Sequence, residues 1–204
     1  MTKALVLLAS GFEEIEASTI VDVLRRSGVD VVVAALVQGL VKGSHGMRFA
    51  SDTTIDKVAA ADFDAIVCPG GAPGYMNLRN DQKVLAMIQE AFKSNKLVAA
   101  ICAAPAVLSD AGILRGKMCT IYPGMEGELE GGGGIVSKKT VVIDGNVLTS
   151  QGPATALAFA LKLAEELAGE KTALEVGRRM LADEILERST RSSDSTLHGH
   201  DVEN

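Results

Sequence analysis

The chain has no tryptophan, two tyrosines and five phenylalanines, so any core it builds is aliphatic: Val, Leu, Ile and Ala, with Met as filler. Cysteine is equally sparse. Cys68, Cys102 and Cys119 are an odd set with no CxxC pair, which excludes a disulfide framework, a zinc ribbon and a thioredoxin motif. Unpaired thiols suit a reducing compartment, and a cytoplasmic location is expected. No apolar run approaches the length needed to span a bilayer, so no membrane partner is expected. Lys3 followed by Ala4 to Ala9 could pass for a signal peptide, but the run is short and Glu13, Glu14 and Glu16 follow at once. Neither GxGxxG nor GKS/T is present, so no nucleotide cofactor is indicated. A formal charge of −6 argues against nucleic acid as the main partner. No metal and no cofactor are expected.

What the chain does have is a series of short, continuous apolar runs: 4–8, 31–36, 65–68 and 97–101. They lack polar alternation, as do parallel strands covered by helices on both faces. Between them lie helical patterns. Ile15, Thr19, Val23 and Leu24 share one face of a first helix, which Arg25, Arg26 and Gly28 close. Val84, Leu85, Ile88 and Phe92 mark a second. Residues 154–167 form a third, with Pro153 at its start and Gly169 beyond its end. The alternation predicts a doubly wound α/β sandwich, a mostly parallel sheet with helices on both faces. Residues 41–49 read as a small hairpin or a loop excursion, and 141–149 as a hairpin with Asp144-Gly145 at the turn. Gly131 to Gly134 is a flexible connection. A single domain is expected over 1–188, with a disordered polar tail over 189–204.

Three segments carry candidate chemistry, each just after an apolar strand and therefore at the carboxyl edge of the sheet, where ligands bind in open α/β folds. In Val98 to Leu108 the strand runs into a helical pattern with no loop between, which puts Cys102 on an elbow like that of an α/β-hydrolase nucleophile. The following helix points its N-terminus at the sulfur, favouring thiolate and offering backbone donors to an oxyanion. Position alone leaves Cys102 open between a reactive thiol and a small buried hydrophobe. Pro69-Gly70-Gly71 is either a ligand-approaching loop or a plain turn. Glu13 and Glu14 suit a helix start. Glu16 lies almost one turn beyond Glu13, where it would reach inward, and burial there would raise its pKa. A cysteine–histidine peptidase would have to use His45, since His198 and His200 fall in the tail and Tyr122 stands where a histidine could face Cys102.

Six segments together resemble the ThiJ/PfpI superfamily and, within it, the DJ-one branch of Parkinsonism-associated deglycases: 3–6, Glu13 to Glu16, 21–26, Pro69 to Gly71, Ala99 to Pro105, and Leu148 to Pro153. The resemblance runs from about Lys3 to Leu181. It implies a flavodoxin-like sandwich and a homodimer. It implies Cys102 as nucleophile and oxidation site, Glu16 as its protonated partner, and the Gly71 and Ala103 amides as an anion site beside the sulfur. Gly70, Tyr122, Gln151 and Pro153 are pocket-lining candidates. The implied activity is glutathione-independent conversion of methylglyoxal to lactate (a glyoxalase III-type reaction) or deglycation, on a small reactive carbonyl substrate, with a role in oxidative-stress protection. The alternative is a redox sensor or redox-regulated chaperone in which oxidation of Cys102 is the function. Two positions depart from the family pattern: Tyr122 stands where a histidine is found, and Gln151 where an arginine is found.

Overall fold

The computed structural model describes residues 1–182; the domain end at 188 and the tail at 189–204 lie outside the described residues. In chain order the elements are β1 (Lys3–Leu8), α1 (Glu14–Arg26), β2 (Asp30–Ala35), β3 (Leu40–Lys42), β4 (Arg48–Ala50), β5 (Thr53–Thr54), β6 (Ala65–Cys68), α2 (Gly74–Arg79), α3 (Gln82–Lys93), β7 (Leu97–Ile101), α4 (Pro105–Asp110), β8 (Met118–Cys119), α5 (Glu126–Gly131), β9 (Ile135–Val136), β10 (Val141–Asp144), β11 (Val147–Ser150), α6 (Ala156–Ala168) and α7 (Glu170–Arg179).

Seven strands form one sheet in the order β10-β11-β7-β6-β1-β2-β5, parallel throughout except for β10, which pairs antiparallel on the edge. The four apolar runs are four of its five inner strands. Their side chains alternate between two cores because successive residues of a strand face opposite ways. Leu5 and Leu7 of β1 meet Val84, Ile88, Val107 and Leu108 on one face; Ala4, Val6 and Leu8 meet Ile20, Leu24, Phe159 and Leu163 on the other. This is the flavodoxin-like α/β sandwich with helices on both sides. Among the described residues, no helix is long and apolar enough to cross a membrane.

The chain leaves β1 toward β2 on one side and returns to place β6 on the other, so the strand order reverses between β1 and β6. A crevice opens beyond the carboxyl ends of strands at such a reversal. The loops after β1, β6 and β7 meet there.

Local details differ from the sequence pattern in four places. The core-facing stripe of α1 is Glu16, Ala17, Ile20, Val23 and Leu24, while Ile15 is 56% exposed. The 3.6-residue period carries the stripe from Ile20 back to Glu16 rather than to Ile15. Asp144 pairs with Val147, so the turn of the last hairpin is Gly145-Asn146, with Gly145 at φ 61° supplying the left-handed conformation. The expected hairpin over 41–49 is β3–β4, paired from Leu40–Ala50 to Lys42–Arg48. The glycine-rich stretch 131–134 is packed rather than loose: Gly132 lies against Ser109, and Gly134 against the Cys119 sulfur.

Phe159 is fully buried where α6 packs on the sheet beside α1. Phe159→Ala should cost about 3–5 kcal/mol, read as a lower urea midpoint with an unchanged slope.

Candidate functional site

Cys102 follows β7 with φ 63°, a left-handed conformation that a non-glycine residue adopts at a cost of about 1–3 kcal/mol. The surroundings fix it there. Its N–H donates to the Ser150 carbonyl at the end of β11 (3.0 Å), and its carbonyl accepts from the Tyr122 N–H (2.8 Å). Every residue of β7 is buried, but the elbow turns the Cys102 side chain partly out of the sheet. Cys68 and Cys119 are fully buried, and burial pushes their thiols up to about 12 and about 11. Cys102 is therefore the accessible thiol of the three.

Glu16 enters from α1 with no exposed surface. Its Oε2 accepts the Gly70 N–H at 2.7 Å. Its Oε1 is buried without a hydrogen-bond partner, and the Cys102 thiol lies near enough to the carboxyl to influence its titration. Gly70 separates acid from sulfur: a Cβ there would lie 2.6 Å from the Cys102 Cβ and 3.0 Å from Glu16 Oε2. Gly71, at φ 91°, presses its backbone against those of Phe12 and Glu13. The Glu13 N–H donates to the Gly70 carbonyl (2.9 Å), and the Gly74 N–H to the Gly11 carbonyl (3.1 Å), so the loops after β1 and β6 are stitched together.

Burial pushes the Glu16 carboxyl up to about 7; the Gly70 amide and the thiol pull it down, and the charge of Glu13 raises it further. Burial also pushes the Cys102 thiol up, to about 12, assisted by the charge of Glu16 and its hydrogen bond, while the Ala103 and Gly71 amides pull the other way. The thiolate expected from the helix N-terminus is thus not the resting form when Glu16 is charged. The helix, α4, is only six residues long, and desolvation beside a carboxylate outweighs its dipole. When Glu16 is neutral, two of the three causes that raise the thiol vanish, and the two amide donors remain.

The rim gathers the other candidates. Tyr122, about half exposed, lays its ring against Gly152. Gln151 donates to the Lys138 carbonyl (3.4 Å). Pro153 opens the short turn that leads into α6. Sequence reasoning missed Ser150 and Thr155. Ser150 is fully buried, its Oγ lies 2.7 Å from Thr155 Oγ1, and its carbonyl holds the Cys102 N–H. A serine and a threonine just past an apolar strand were the available signal.

The His45 ring Nδ1 lies 3.2 Å from Glu14 Oε2 and 3.0 Å from Ser44 Oγ, and His45 is not among the groups that shift the Cys102 thiol. Glu14 Oε1 accepts the His45 and Met47 N–H groups at 2.8 and 3.2 Å, so this carboxylate ties the β3–β4 hairpin to α1. Glu13, Glu14 and His45 are also the residues that could approach a metal together, with ligand atoms within 4.8 Å of one another. A groove of about 780 Å³ lined by Met1, Asp64, Asn95 and Asn146 lies at the amino ends of the strands, away from Cys102.

The family model described as the DJ-1/PfpI family matches residues 2–166. The protein dj-1beta of Drosophila melanogaster is 45% identical over 179 residues, covering 87% of this chain and 96% of the relative. Its crystal structure superposes with a TM-score of 0.84 at 43% identity, over 88% of this chain and 97% of that one. A Pyrococcus horikoshii protein named a deglycase is 37% identical over 158 residues, 77% of this chain and 94% of its own.

The raised acid has a measurable consequence for folding. Between pH 4.5, the ordinary value, and about 7, the folded protein keeps the Glu16 proton while the unfolded chain releases it, so this group's contribution to stability falls as pH rises. The unfolding free energy of wild type minus that of Glu16→Gln, measured by urea denaturation, should decline across this window and level off above it.

Proposed function

The chain belongs to the DJ-1/PfpI family, and from its elbow cysteine facing a buried acid we propose that it is a cysteine-dependent carbonyl-processing enzyme, a glutathione-independent glyoxalase with deglycase-type activity. The carrying observation is the pairing of the one accessible thiol with a carboxyl held near neutrality. Such an acid accepts and returns protons at physiological pH, and the deglycase name of the archaeal relative fits the same chemistry.

With methylglyoxal, the Cys102 sulfur attacks the aldehyde carbon while the Glu16 carboxylate takes the thiol proton and returns it to the new alkoxide oxygen, giving a neutral hemithioacetal and leaving Glu16 as a carboxylate. A thiol pushed upward makes this concerted transfer more economical than a standing thiolate. The Gly71 and Ala103 amides receive the developing oxyanion, each donor being worth about 3 kcal/mol in favourable geometry. Glu16 then moves a proton from C1 to C2 through an enediol. The result is a lactoyl thioester on sulfur. Water hydrolyses it, returning the thiol and releasing lactate, so the net reaction adds one water to methylglyoxal. Tyr122 at the rim has no imidazole to share this work.

A second reading rests on the same accessible sulfur. Oxidation of Cys102 to sulfinate would place its oxygens among the two amides and a neutral Glu16, making the site a redox sensor. A Toxoplasma gondii relative of 36% identity, TM-score 0.84, is described as oxidized. As a homodimer, the protein would use the exposed Ile15 at the start of α1 and Met47 in the β3–β4 connection, with twice the chain mass in sedimentation. The unpaired thiols suit a cytoplasmic setting.

Steady-state kinetics with methylglyoxal and no glutathione decide between the readings. Lactate formation by wild type, lost in Cys102→Ala with an unchanged circular dichroism spectrum, supports the enzyme. Negligible turnover, with two oxygens added selectively at Cys102 by mild peroxide in mass spectrometry, supports the sensor and overturns the enzyme.

A further inference from the structure

Three segments at or beside the site each lead into a short helix. Gly70-Gly71 precedes α2, Cys102-Ala103 precedes α4, and the segment after Tyr122 enters α5; each helix has six residues. Helices this short do not hold themselves in place, so their positions depend on tertiary ties. Arg79, the last residue of α2, supplies one. Its Nε and Nη2 grip Asp110 Oδ2 and Oδ1 at 2.6 and 2.9 Å, and Nη2 and Nη1 reach Glu128 Oε2 and Oε1 at 3.0 and 3.4 Å. Asp110 ends α4, and Glu128 lies in α5. Among the described residues these are the only ion pairs joining the three helices.

Two further facts separate this cluster from an ordinary surface pair. The Arg79 side chain is only 22% exposed, and it meets Asp110 with both prongs of its fork, the geometry that makes such contacts strong. Asp110 also carries negative charge at the C-terminal end of α4, where the helix dipole disfavours it, so a partner is needed to keep it there. Burial disfavours the guanidinium charge, yet the two carboxylates outweigh that and hold it more firmly protonated than usual.

The donors at the sulfur are mechanically continuous with these helices. The Gly71 carbonyl accepts the Tyr75 N–H (2.9 Å), so the Gly71 peptide belongs to the first turn of α2. The Ala103 carbonyl accepts the Ala106 N–H (3.2 Å), so Ala103 belongs to the first turn of α4. Asp110 stands as far along the chain from Cys102 as Arg79 stands from Gly71. Gripping the far ends of α2 and α4 therefore fixes their near ends relative to each other.

We propose that Arg79 is a positioning residue: by clamping Asp110 and Glu128 it sets where the Gly71 and Ala103 amides stand relative to the Cys102 sulfur. The turnover arm of this inference rests on the carbonyl-processing function proposed above; the thiol-reactivity arm does not. A group that aligns oxyanion donors acts on the transition state more than on substrate binding.

The test compares Arg79→Met and Arg79→Lys with Lys162→Met, which removes a comparable ion-pair cluster with Glu165 and Glu166 on α6. Melting temperature, the rate of Cys102 alkylation by iodoacetamide, and kcat and KM for methylglyoxal are read on each. Arg79→Met should slow both alkylation and kcat by about tenfold with KM nearly unchanged. Arg79→Lys should recover part of the loss, since one ammonium cannot fork to both acids. Lys162→Met should leave both rates at wild-type values. If Arg79→Met lowers the melting temperature but leaves alkylation and kcat as in wild type, Arg79 is a structural tie only and the inference fails. If wild type turns over no methylglyoxal, the proposed function fails, and the alkylation rates alone decide the role of Arg79. Should Arg79→Met not fold, Asp110→Asn, which keeps the volume and weakens one grip, is read by the same criteria.

Discussion

A carboxyl group set into the apolar stripe of α1, opposite a sulfur, is the constraint around which this molecule is arranged. Glu16 occupies the position one turn before Ile20, where the helix period calls for a hydrophobe. Removing a carboxylate from water is costly, and the protein meets that cost in two ways. One backbone amide, from Gly70, satisfies Oε2, and burial raises the group until it is half protonated near pH 7. Oε1 has no hydrogen-bond partner, and the carboxyl and the thiol shift each other's titration, so that a charge on one disfavours a charge on the other. The absence of side chains at Gly70 and Gly71 follows directly, since any Cβ there would occupy space that the acid, the sulfur or the β1 loop already fills.

The sheet topology makes this meeting available. Reversal of strand order between β1 and β6 leaves an open crevice at the carboxyl edge, and the three loops that reach it come from adjacent strands β1, β6 and β7. The backbone of Cys102 is held from two further directions, by Ser150 at the end of β11 and by Tyr122. Five segments distant in sequence thus determine one left-handed residue. The groove lined by Met1, Asp64, Asn95 and Asn146 lies at the opposite edge of the sheet, at the amino ends of the strands.

Much of this was legible in the amino-acid sequence. Continuous apolar runs identified β1, β2, β6 and β7, because strands buried on both faces cannot alternate. Direct passage from strand to helix marked Cys102. The resemblance to a known family supplied the pairing of Glu16 with that sulfur and the donor roles of Gly71 and Ala103. Other features depend on tertiary context that local pattern does not carry. The sequence pattern puts Ile15 on the core-facing stripe and lets Glu16 reach inward as well; packing against α6 and the sheet decides that Glu16 takes the stripe position and leaves Ile15 exposed. α2 begins within Pro73-Gly74, residues that read locally as loop. A helix dipole that favours thiolate can be inferred from sequence, whereas the burial that opposes it depends on tertiary packing. Arg79 gave no signal at all, its two partners lying in helices far along the chain.

The central claim, that Glu16 carries a proton near neutrality because it is buried beside Cys102, is open to direct observation by infrared spectroscopy. In a pH titration of the wild-type protein, with Glu16→Gln as the subtraction reference, the account predicts a protonated-carboxyl stretching band that is present at pH 6 and is lost with a midpoint near 7. A band lost with a midpoint near 4.5, the value of an ordinary glutamate, would contradict it.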